Sequence, residues 1–172
     1  MSVTATHCFM HCHFRRLIRR FVLAPALLAV VLASFGGVGT AQAGTMINQT
    51  DNGVAIEGYD PVAYFTMQRP VMGSDAFAHN WLGATWHFSK VEHRDLFVAN
   101  PAKYAPQYGG YCAGGLALGH TAVVDPEAWH IVDGKLYLLY SKRVLKSWEK
   151  NIPLRVAEAD HNWQRIRIDL TR

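Results

Sequence analysis

The stretch that decides the fold is WHIVDGKLYLL, Trp129 to Leu139. β-Branched, aromatic and aliphatic residues stand on both sides of Asp133-Gly134. That pair suits a two-residue type I′ turn, whose central residues both take positive φ. An antiparallel hairpin is expected here. A second is expected over FAHNWLGATWHF, Phe77 to Phe88, where aromatics alternate about a turn at Leu82-Gly83-Ala84.

Outward from these hairpins the chain reads as helices and caps. Asp60-Pro61 joins a cap to a first-turn proline and predicts a short helix over Val62 to Phe65, burying Tyr64 or Phe65. Ser89-Lys90-Val91-Glu92 has the spacing of a capping box. The helix it opens should run to about Asn100 with Val91, Leu96 and Phe97 facing inward. Asn100-Pro101 then caps a further turn carrying Tyr104. Met67 and Met72 read as gap-filling core, and Asp125-Pro126 as a turn after the apolar Val123-Val124. Ser141 should cap a helix over Lys142 to Lys150 that buries Val144, Leu145 and Trp148. Asn151 and Pro153 open the last helix, where Val156, Ala159, Trp163 and Ile166 share one stripe. The sum is an α+β fold: a small single domain with two β-hairpins and several short helices packed to one side.

The amino-terminal residues read differently. Arg15, Arg16, Arg19 and Arg20 precede an apolar run from Phe21 to Phe35, and Ala41-Gln42-Ala43 offers the small-x-small pattern of a signal-peptidase site. Residues 1–43 are therefore expected to be a signal peptide cleaved after Ala43, residues 44–53 a polar lead-in and residues 54–168 the domain. The expected location is periplasmic or secreted. Of 17 Lys and Arg, four lie in this leader and no acid does, so the remainder balances at 13 against 13. The basic balance belongs to the leader, which argues against a nucleic-acid partner and against stable membrane association after cleavage. His7, Cys8, His11, Cys12 and His13 resemble metal ligands but leave with it.

What remains has one cysteine, Cys112, within YAPQYGGYCAGGLALGH, Tyr104 to His120. No internal disulfide can form in such a chain, so the thiol is either buried and inert or kept because it reacts or ligates. Five glycines surround it, which lets a backbone or a ligand approach closely.

GYDPVAYF, YAPQYGGYCA, DGKLYL and a late AD..W together resemble the YHS-domain family, and more closely its exported bacterial branch, over about Val54 to Trp163. The resemblance implies a compact α+β fold and, from the short YHS units that accompany copper-transporting ATPases, metal binding through two cysteines. Ser89 and His93 stand where those cysteines would be, so that pair does not carry over. In the exported branch the GGYCA cysteine is the notable residue, and relatives with selenocysteine there imply redox or soft-ligand chemistry at Cys112.

Three functions follow. The first is binding of a transition metal, copper first, through Cys112 with His93 or His120 assisting, since thiolate and imidazole suit soft and borderline ions. The second is thiol redox at Cys112, with an external resolving thiol supplied by a partner. The third is a non-catalytic ligand-binding or structural module. No organic cofactor is indicated. No C-x-x-C-H, zinc CxxC pair or HExxH is present, and no methionine follows Met72 to complete a blue-copper loop.

Overall fold

The computed structural model describes residues 45–172, so the expected signal peptide and its Cys8 and Cys12 lie outside the described residues. The described part is a mixed α+β domain. In chain order it comprises α1 (Ala63–Thr66), β1 (Ser74–Trp81), β2 (Ala84–Phe88), α2 (Val91–Ala99), α3 (Pro101–Tyr104), α4 (Ala113–Ala117), β3 (Asp125–Val132), β4 (Lys135–Leu139), α5 (Lys142–Trp148) and α6 (Ile152–Asp169). Short 3-10 turns at Ile56–Gly58, Gln107–Gly110 and Glu149–Asn151 link them. None of the described helices is long and apolar enough to cross a membrane.

Both hairpins form as separate antiparallel sheets, β1 with β2 and β3 with β4. Asp133 and Gly134 take φ of 49° and 71°, and Leu82 and Gly83 take 49° and 76°, as two-residue turns of this hand require. Each hairpin carries an irregularity in its first strand, between Ser74 and Ala78 and between Asp125 and Trp129. The second irregularity explains a difference from expectation. Asp125-Pro126 is not a turn but the start of β3, where a proline is tolerated because the regular ladder resumes only at Trp129.

The first hairpin packs on α2 through aromatic rings. Phe97 sits 5.1 Å from Trp86, 5.2 Å from Phe88 and 5.6 Å from Trp81, centroid to centroid. The inward stripe of α2 is His93 and Phe97, one turn apart, whereas Val91 and Leu96 are exposed. Ser89 does not cap this helix. The cap position is Lys90, without a side-chain bond, and the Ser89 hydroxyl turns to Asp60 instead. Met67 and Met72 are also exposed rather than core.

The second hairpin buries Leu136, Tyr137, Leu138 and Leu139. Ser141 caps α5 as expected, accepting from Val144 N, and Trp148 beneath it packs 5.4 Å from Tyr137. The helix ends at Trp148 and passes into a 3-10 turn, leaving Val144 and Leu145 half-buried. Asn151 caps the 18-residue α6, which buries Ala159 and Ile166 and half-buries Val156 and Trp163.

Residues 45–48 belong to the fold and are more than a lead-in. Asn48 N donates to Gly109 O at 2.8 Å, Asn48 Nδ2 to Gly110 O at 3.1 Å and Tyr111 Oη to Thr45 O at 2.8 Å. Gly109 is obligatory here: its φ is 63°, and a Cβ would lie 1.9 Å from the Met46 carbonyl oxygen. The segment docks by these hydrogen bonds and by burial of Ile47 in the core, which its mostly polar surroundings in the sequence do not announce.

Candidate functional site

Cys112 occupies the cap position of α4, between the glycine loop and the helix. Its side chain accepts from two backbone donors, Gly115 N at 3.4 Å and Tyr140 N at 3.2 Å. The first donor comes from the start of α4 and the second from the residue after β4, so two separate parts of the chain converge on one sulfur. Cys112 N donates to Ala122 O at 3.0 Å, fixing the loop on its other side. The residue is 1 % exposed. It nonetheless lines a pocket of about 270 Å³ with Gly115, Leu118, His120, Ala122, Tyr140 and Val144.

Glycines make that pocket possible. A Cβ on Gly114 would lie 2.8 Å from Val144 Cγ1 and 3.6 Å from the Cys112 sulfur. One on Gly115 would lie 3.1 Å from His120 O and 3.5 Å from His120 Nε2. Small residues at both positions let α5 and the His120 loop close around the thiol. On the far side, Asn162 Nδ2 of α6 donates to Leu116 O at 2.9 Å and Ala117 O at 3.2 Å, tying the end of α4 to α6.

The three candidate residues separate into two places. Cys112 and His120 line one pocket, with His120 exposed and its backbone N donating to Gly115 O at 3.1 Å. His93 is elsewhere and fully engaged. Its Nδ1 lies 2.6 Å from Asp60 Oδ2 and its Nε2 3.0 Å from Thr66 Oγ1. Thr66 Oγ1 also donates to Val62 O at 3.1 Å, leaving its lone pairs to accept from the ring. Both His93 nitrogens are engaged there, and the residue does not line the pocket that Cys112 and His120 share. Among the described residues no group of three or more His, Cys, Asp and Glu is placed to hold a metal ion.

Asp60 is the residue that sequence reasoning undervalued. Its Oδ1 accepts from Val62 N at 2.9 Å and Ala63 N at 3.3 Å, as the cap reading requires. Its Oδ2 additionally takes Ser89 N at 2.9 Å, Ser89 Oγ at 2.6 Å and His93. One fully buried carboxylate thus ties α1 to the end of β2 and to α2. Ser89 and His93, four residues apart on the chain, were the available signal, since at that spacing both can reach a single acceptor.

Three tyrosines near these elements are held neutral. Burial raises the Tyr64 hydroxyl, which donates to Pro126 O at 3.0 Å. Burial and then its hydrogen bond to Asp160 Oδ1, at 2.9 Å, raise Tyr108. Tyr137 is raised by burial and by the charge of Asp160. Tyr108 and Tyr111, which flank the thiol in sequence, spend their hydroxyls on α6 and on Thr45, so both serve packing.

Neither protein-family models, nor curated proteins, nor solved structures give a match to this chain.

Proposed function

We propose that this chain is an exported YHS-type protein whose Cys112 performs thiol–disulfide exchange with a partner disulfide, an external thiol then resolving it. The observation that carries this reading is the pair of backbone N–H groups aimed at the Cys112 sulfur at the floor of the pocket. Two fixed dipoles are set to receive negative charge on sulfur, the form that attacks a disulfide. His120 lines the same pocket and is suited to take the thiol proton. The sulfur attacks one sulfur of an incoming disulfide, forms a mixed disulfide and expels the other half as a thiolate. Cys112 is the single cysteine of the described residues, so an external thiol must attack the mixed disulfide to return the free form.

The test is incubation of the purified protein with glutathione disulfide, followed by intact mass and peptide mapping. Wild type is expected to gain one adduct at Cys112, Cys112→Ser none, and His120→Ala the same adduct about 10²-fold more slowly. A thiol that stays unmodified while the protein remains folded removes this reading and leaves the structural one.

A second reading is favoured by the shared pocket of Cys112 and His120. A thiolate and one imidazole fit a soft monovalent ion such as copper(I), which accepts few ligands, and do not fit a four-coordinate zinc site. Stoichiometric copper in untagged protein, lost in both Cys112→Ser and His120→Ala, would transfer the function to metal binding.

A further inference from the structure

Lys142, Arg143, Lys146 and Lys150 line one concavity of about 540 Å³, together with Ser147. At 100° per residue the cations of α5 fall on one face while Val144, Leu145 and Trp148 turn away from it. Lys142 and Lys146 stand at i,i+4, a spacing at which like charges weaken a helix, and Lys150 follows in the 3-10 turn after it. Their charge is largely unspent. Lys142 reaches Glu127 only at 3.9 Å between exposed ends, and Arg143, Lys146 and Lys150 pair with no carboxylate among the described residues. Glu149, the acid beside them in sequence, pairs with His130 at 3.1 Å. Nor is this a general basic excess, because the chain beyond residue 43 balances its charges.

The same helix also borders an apolar pocket, on another of its faces. Val144 of α5 and Tyr140 just before it line that pocket together with Leu118. Tyr140 and Leu118 are 56 % and 72 % exposed and so accessible to a partner.

We propose that this surface docks an acidic segment of a partner protein, its carboxylates on Arg143, Lys146 and Lys150 and one apolar side chain between Leu118 and Tyr140. From Lys142 through α5 to Lys150 in the following 3-10 turn is about 12 Å, which is longer than a single small anion. Cations on a helix that also borders an apolar pocket suit a peptide carrying both acidic and apolar side chains. The proposal does not rest on the chemistry assigned to Cys112.

The probe is a fluorescein-labelled peptide of glutamates around one leucine, titrated with the purified protein. Anisotropy is expected to saturate at about 50 mM salt and to weaken about tenfold at about 300 mM. Arg143→Glu with Lys146→Glu and Lys150→Glu should also weaken it about tenfold or more, and the milder Gln replacements less. Leu118→Ser, or a peptide with glycine for leucine, should weaken binding without changing its salt dependence. Absence of saturation, indifference to charge reversal, or equal competition by inorganic phosphate overturns the proposal. So does binding to phosphatidylglycerol vesicles in place of the peptide, or self-association that accounts for the signal.

Discussion

His93 and His120 are both imidazoles near the ends of short elements, yet their surroundings give them opposite roles. His93 is sealed between Asp60 and Thr66, while His120 faces solvent at a pocket mouth. Replacing one member of a buried pair strands the other, so His93→Ala should cost about 3–5 kcal/mol in urea unfolding. His120→Ala, at an exposed position, should stay within about 0.5 kcal/mol of wild type while slowing reaction of the thiol. A His93→Ala variant of unchanged stability would mean that Asp60 has other means of compensation. Gly109→Ala belongs at the same scale. Its added methyl meets the Met46 carbonyl in a left-handed backbone, and a loss of more than about 2 kcal/mol is expected from the same measurement.

Among the elements, two serines with equally good sequence credentials act differently. Ser141 bonds Val144 N and caps α5; Ser89 leaves α2 uncapped and donates to Asp60. Ser141→Ala should cost about 1 kcal/mol. Ser89→Ala should cost about 1–3 kcal/mol, because it removes a donor from a buried carboxylate. Adding Asp60→Ala should erase most of the Ser89 effect and none of the Ser141 effect in a double-mutant cycle. The contrast marks what a sequence can convey. Hairpin turns, proline-bearing caps and the α6 stripe depend on neighbours within a few residues, and all were legible. The partners of Ser89 and His93 lie 29 and 33 residues away at Asp60, and no local pattern encodes that meeting. The exposed Val91 and Leu96 were misjudged for the same reason: which face of α2 turns inward is set by the aromatic cluster and Asp60, not by the helix alone. At the pocket, the glycine-rich setting of Cys112 was visible, whereas the donation from Tyr140 N, 28 residues on, was not.

Across the whole molecule, tyrosine hydroxyls fasten distant parts together. Tyr64 joins α1 to β3, and Tyr108 joins the glycine loop to α6. Their folded-state values are raised, so each favours the fold while neutral. That contribution is complete below the ordinary tyrosine value near pH ~10 and is lost as the pH rises beyond it. Urea midpoints should be insensitive to these groups near neutrality and fall steeply above about pH 10, less steeply in Tyr64→Phe and Tyr108→Phe. An alkaline limb identical in the Phe variants would place the loss elsewhere.

The docking of residues 45–48 across the glycine loop has a practical corollary for handling the protein. If processing occurs after Ala43, as proposed, the new amino group begins one residue before Thr45, whose carbonyl receives Tyr111. Purification tags or reporter fusions placed there would adjoin the segment that docks on the glycine loop, whereas Arg172 is exposed beyond the last turn of α6. Comparing the thiol's labelling rate between the two fusion geometries would show how far the mature start itself governs the state of the sulfur.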